Sequence, residues 1–278
     1  MSDLQPAEPA TTAAAAPVAT AFSDAHAVWH AEVEAARTAP YGALTATAMH
    51  WLEGDAGEAR ELPGLPGEWR AYPDGLVTVV VTEADGISQA GQPVAGEVRV
   101  GPLTGLASAT LTWGDILIEI AARSGAIAVR PRDPQAAARV EYTGTPVFAP
   151  NRDWVVSAEF ESDPRASVEI DSAAAGRLQH YDSPGRAVFT VGGERVALTL
   201  FGSAAGGDLR AIFSDASPET FDATRFVGVT AREGGLVIDF NRAVNPPFAY
   251  TEHATCPFPP AENRLPVPVE AGEKRPNA

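Results

Sequence analysis

The chain is expected to be mainly β, with antiparallel meanders forming a β-sandwich or two half-open barrels, one N-terminal helix and a Pro-rich C-terminal loop. Three observations lead there. Seven short runs rich in β-branched residues are separated by Gly-containing turns, only one stretch has helical spacing, and six prolines crowd between Pro246 and Pro266.

Taken in order, residues 1–20 are Ala-, Pro- and Thr-rich with almost no large apolar side chains, which predicts a disordered tail. Within residues 21–40, Phe22, Val28, Trp29, Val33 and Ala36 recur near helical spacing. Ser23 is a candidate N-cap and Pro40 closes the helix. The strand-like runs follow at 76–81, 116–120, 126–130, 154–160, 186–191, 195–201 and 236–240. Gly114-Asp115, Ser124-Gly125 and Gly192-Gly193 sit between runs as two-residue hairpins require, because positive φ is least costly at such residues. Residues 161–166 suggest a break, so a first β-rich subdomain is expected over 41–163 and a second over 164–278. No fixed repeat points to a propeller or solenoid. Trp113, Trp154, Phe189, Phe201 and Phe240 are expected in the core.

Composition narrows the partners. Against 20 basic residues stand 36 acidic ones, a net charge of −16, so nucleic acid and anionic membrane surfaces would meet a repulsive field. No apolar run is long enough to span a bilayer, and the first residues lack the positive charge of a secretory signal. With one cysteine and no internal disulfide, a cytoplasmic protein is expected.

The segment 239–270, DFNRAVNPPFAYTEHATCPFPPAENRLPVPVE, combines fixed backbone with chemistry-bearing groups, as a site-forming loop does. Cys256 lies three residues after His253 and four after Glu252, close enough in an extended loop for a thiol–imidazole pair. The competing reading is a small buried side chain beside a surface histidine. His50, in the run His50-Trp51-Leu52, is either a neutral hydrogen-bonded residue against Trp51 or an acid–base partner of His253 or Glu252. Arg130, Arg132 and Asp133 end a strand with Arg123 in the preceding turn. They are able to hold a carboxylate or phosphate through forked hydrogen bonds, or to pair with the chain's own acids. Asp239 and Asn241 fall on one side of their strand; with Arg242 and Arg225 they are expected to line a polar pocket, or to form a network that positions the loop.

His26, His30 and Glu34 fall at i, i+4 and i+8, but about 12 Å of helical rise separates the ends, so they read as a solvated polar stripe and no metal site is expected. No phosphate-binding glycine loop, nucleophile elbow, CxxC pair or HExxH helix is present, and the sequence specifies no cofactor.

The runs Asp239-Phe240-Asn241-Arg242, Asn245-Pro246-Pro247, Thr255-Cys256-Pro257 and Glu262-Asn263-Arg264-Leu265-Pro266 resemble the C-terminal signature of DUF1684, an uncharacterised prokaryotic family. Similarity extends upstream through Arg225, Phe213 and Asp215, the Arg130-Arg132-Asp133 cluster, Tyr41-Gly42 and the His50 run. The resemblance implies no established activity, cofactor or catalytic residue. Phe248 stands where members often carry a second cysteine, so a two-thiol mechanism finds no support. His30 and Val33 replace arginines of the first helix, and residues 55–68 lack the phosphopeptide-loop pattern many members have. The chain is therefore expected to be an enzyme or binding protein for a small polar, anionic molecule held under the C-terminal loop by Asn241, Arg242 and Arg225, with Cys256, His253 or His50 supplying chemistry. The alternative is a non-catalytic interaction or structural module.

Overall fold

The computed structural model describes residues 16–53, 57–203 and 206–277. The expected tail thus lies mostly outside the described residues, and its last five belong to helix α1 (Ala16–Arg37). The helix begins before Ser23 because alanine favours the helical state and Pro17, in the first turn, has no helical amide to lose.

The buried side of α1 corrects the sequence reading. Val28 is 61% exposed and Ala36 is exposed, whereas His26 and Arg37 are buried and His30 and Glu34 half-buried beside Trp29 and Val33. The polar stripe is the docked face. It meets polar groups at one end of the second β unit: His26 Nε2 lies 2.9 Å from the Asn241 carbonyl, and Arg37 Nη2 donates to Glu273 at 2.6 Å.

Ten strands make the first β unit. In chain order they are β1 (His50–Leu52), β2 (Arg60–Glu61), β3 (Glu68–Ala71), β4 (Val77–Val81) and β5 (Ile87–Gln89). Then come β6 (Gln92–Pro93), β7 (Gly96–Val100), β8 (Ser108–Trp113), β9 (Ile116–Arg123) and β10 (Ala126–Arg132). They form a sheet of order β1-β10-β9-β8-β5-β6 and another of order β2-β3-β4-β7. Trp69, Val79, Ile118, Ile120 and Val129 belong to one apolar cluster drawn from both sheets, the sandwich alternative. Ser124 and Gly125 both have positive φ, 50° and 77°, so the β9–β10 turn matches strand twist and fixes the register that sets Arg130 opposite Glu119.

Strand β10 is buried on both faces. Ile127 and Val129 enter the sandwich core, while Ala126, Ala128, Arg130 and Arg132 alternate onto the other side. Ala121 and Ala128, both inaccessible to solvent, leave room on that side for close packing.

The second β unit is a closed antiparallel barrel of six strands: β11 (Val155–Asp171), β12 (Leu178–Val191), β13 (Glu194–Phe201), β14 (Arg210–Phe213), β15 (Arg225–Arg232) and β16 (Gly235–Asp239). It is closed rather than half-open, because β16 returns to pair with β11. Residues 161–166, expected as a break, lie inside β11, which crosses them with two register shifts while remaining paired to β12. The 163/164 boundary therefore falls within a strand. Phe189, Phe213 and Phe240 pack in the barrel core, with Trp154 partly buried against them.

The Pro-rich segment has two structural roles. Leu265, Val267, Val269 and Ala271 alternate into the barrel core while Pro266, Pro268 and Glu270 face outward, so this half seals the barrel without needing proline amides. Asn263, fully buried, accepts from the Thr199 amide at 2.7 Å and donates to the Thr199 and Ile212 carbonyls, joining β13 and β14 where their own pairing is short. The other half, around 247–257, faces the first β unit. Among the described residues no helix is long and apolar enough to cross a membrane.

Candidate functional site

A cleft of about 450 Å³ opens where the outer face of β9–β10 meets the barrel and the 247–257 loop. Among the described residues four arginines and no carboxylate line it: Arg123, Arg130 and Arg132 from the sheet and Arg210 from the start of β14. Gln179 and Tyr181 of β12, with His253 and Cys256 of the loop, complete the polar wall. Arg130 and Arg132, read from the sequence as one cluster, and His253 and Cys256, read as another, thus share one wall.

The arginines are not equivalent. Arg132 is tied through Nε and Nη2 to Glu119, at 2.8 and 2.7 Å, and through Nη1 to the Gly42 carbonyl. Arg123 donates to the Leu106 and Ala122 carbonyls. Arg130, only 8% exposed, gives one hydrogen bond to Glu119 at 2.8 Å, and its Nε is buried without a partner. Exposed Arg210 has its guanidinium 5.9 Å from the centre of the Tyr181 ring. Burial, then the neighbouring Arg130, lowers the pKa of Arg123. Burial would raise Glu119, but Arg130 and Arg132 hold its carboxyl below the ordinary range.

Burial pushes the Cys256 thiol up to about 11, against smaller lowering effects from the Phe248 amide and Arg130. Cys256 and His253 share the wall without a hydrogen bond between them; His253 Nε2 instead lies 4.0 Å from Glu252. His50 stands outside the cleft on the core side of β1, its Nε2 buried without a partner. Burial, then His253, lowers its pKa.

The other expected ligand-binding residues lie elsewhere. Asn241, almost fully buried, exchanges two 2.8 Å hydrogen bonds with the Asn151 backbone and donates to Asp239 at 2.9 Å. Arg242 is half-exposed and 3.5 Å from Asp239. Arg225 points into the barrel, with Nε 3.7 Å from Asp215 and Nη1 donating to the Val269 carbonyl. Burial lowers its pKa to about 10 despite Asp215.

Among the described residues one group has the composition of a metal centre: the donor atoms of His30, Glu34 and Glu273 lie within 4.8 Å of one another. Arg37, however, donates to both carboxylates as well as to Tyr142 and Thr145. Its guanidinium is the resident cation, and a metal ion would stand against a buried positive charge.

Residues 140–274 match the model of a family described as a protein of unknown function, DUF1684. Over this stretch, just under half of the chain, the protein is similar to the DUF1684 family. The match takes in the barrel, Arg210 and the 247–257 loop, while Arg123, Arg130 and Arg132 precede it. The cleft thus lies at the junction between the DUF1684 region and the first β unit. The solution NMR structure of an uncharacterized protein from Haloarcula marismortui is similar at 25% identity, covering 49% of this chain and 78% of that one, with a TM-score of 0.39. No curated protein matches the chain.

Gln179, Tyr181 and Arg210 were not singled out by sequence reasoning. Arg210 follows a glycine-containing turn at the start of a strand, with no local pattern to distinguish it, and meets the cleft only through barrel closure.

Proposed function

We propose that the protein binds a small anionic molecule, carrying a carboxylate or phosphate, in the cleft between the two β units. The observation that carries this reading is Arg130, whose buried Nε has no partner in a cleft lined by arginines without a carboxylate. A buried unpaired donor is costly, and an incoming anion would satisfy it. Arg210 supplies a second cation and Gln179 and Tyr181 neutral hydrogen-bonding groups, whereas Arg123 and Arg132 mainly hold the frame. Asn241, Asp239, Arg242 and Arg225 support the fold around it.

In this reading Cys256 is a protonated wall residue, since its raised pKa leaves little thiolate at neutral pH. Any proton transfer to the ligand would fall to His253. A cytoplasmic setting, in keeping with the lone cysteine, belongs to the same reading.

The test is calorimetric titration with inorganic phosphate and with citrate, at low and moderate salt. Binding is expected, weaker in Arg210→Gln and at higher salt because exposed cation–anion attraction is screened. Absence of binding to either anion, with no gain in melting temperature, would remove the proposal.

A further inference from the structure

A second cavity of about 450 Å³ adjoins the arginine cleft, and Leu106, Arg123, Gln179 and Tyr181 wall both. Its lining is different in kind. Tyr72, Pro73, Leu103 and Ala126 contribute apolar surface, and among the described residues Arg123 is the one arginine that reaches it. Asp74 adds a negative charge there, its Oδ1 accepting from the Leu76 amide at 3.0 Å.

Leu106 stands at the shared wall with 69% of its surface exposed. A lone exposed leucine is ordinary, but this one borders an apolar cavity on one side and guanidinium groups on the other. Arg123 Nη1 donates to the Leu106 carbonyl at 3.0 Å, so the same arginine that borders the cationic space fixes the apolar partition. The charge order also gives a direction. An anionic group is drawn towards Arg130 and Arg210 and repelled from Asp74, while methylene groups gain by leaving water beside Leu103, Leu106 and Tyr72.

We infer that the ligand is an anionic amphiphile, with its head between Arg130 and Arg210 and an apolar chain running past Leu106 into the second cavity. This rests on the anion-binding reading and adds the chemical class of the molecule. The head requires negative oxygens able to accept from guanidinium; the chain requires only apolar surface.

Calorimetric titration with inorganic phosphate, n-butyl phosphate and n-octyl phosphate, all kept below micelle formation, separates the two claims. Affinity is expected to rise by about fourfold per methylene over the first carbons, the gain for moving a CH₂ out of water. Leu106→Ser, at an exposed position, should reduce the octyl-over-phosphate preference severalfold, and Arg210→Gln should weaken all three ligands. Equal affinity for the three phosphates would overturn the amphiphile while leaving the anion site standing. Octyl phosphate binding indifferent to both substitutions would mark surface adsorption and also overturn it. Failure of all three to bind would remove the anion site, and the inference with it.

Discussion

Arg130 and Glu119 face each other across the β9–β10 register and are joined at 2.8 Å, yet Glu119 must also hold Arg132. One carboxylate between two guanidinium groups leaves positive charge over and places it in the cleft wall.

Glu119→Gln tests whether that excess is used. Loss of two charge-assisted pairings should cost about 2 kcal/mol of stability. At the same time, removal of the competing carboxylate should raise phosphate affinity by about threefold or more. Denaturant midpoints and titration calorimetry measure the two effects. A stability loss with unchanged phosphate affinity would mark the Arg130–Glu119 pair as purely structural.

Asn241→Ala makes the opposite combination. The substitution removes two part-buried hydrogen bonds that tie the Asn151 backbone to the buried Asn241 side chain, so a loss of about 2 kcal/mol is expected. Anion affinity should hold, because Asn241 lies outside the cleft. A selective loss of phosphate binding in a variant of normal stability would return Asn241 to the binding residues.

These two residues also show how far the sequence could be read. The outward stripe Arg130 and Arg132 follows from alternation in AIAVRPR, and fixing the Ser124-Gly125 turn would also have set Glu119 opposite Arg130. Cys256 and His253 stand out because a proline-fixed loop carries them, and they do join the arginines. The residues that lie outside the cleft depend on distant partners. Asn241 and Asp239 are neighbours as expected, but what they neighbour is Asn151, ninety positions from Asn241 in the chain. The docking face of α1 is turned away from Val28 and Ala36 for the same reason, since the groups it meets, the Asn241 carbonyl and Glu273, carry no trace in the helix's own spacing. Barrel closure was illegible too: β11 continues through the polar residues 161–166 because its pairing to β12 resumes on either side of the bulges.

Cys256 should resist alkylation in the folded protein. With the thiol pushed up to about 11 by burial, the thiolate fraction at pH 8 falls by on the order of a hundredfold relative to an unperturbed cysteine of pKa about 8.5. Iodoacetamide labelling followed by mass spectrometry, native against urea-unfolded, should show a rate ratio of at least that order. The raised pKa also means that Cys256's contribution to stability is intact below the unfolded value and lost as pH rises towards 11. Labelling as fast in the native state as in urea would reinstate a reactive thiol.

Acid should destabilise the protein in two separable steps. His50 has a folded pKa below its ordinary value, through burial and then His253 and against the Pro63 carbonyl, so the neutral ring is the form the fold prefers. Its contribution is present above the unfolded pKa of about 6.5 and is lost as pH falls through the lower folded value. Glu119 is depressed in the same direction by Arg130 and Arg132, but its contribution is present above the ordinary carboxylate value of about 4.3 and is lost only below it. Urea midpoints measured against pH should therefore decline first in the weakly acidic range and again near the carboxylate range. His50→Gln should flatten the first decline and leave the second; Glu119→Gln should do the reverse. Identical slopes for the wild type and His50→Gln just below about pH 6.5 would mean that the buried imidazole is charged in the folded state after all.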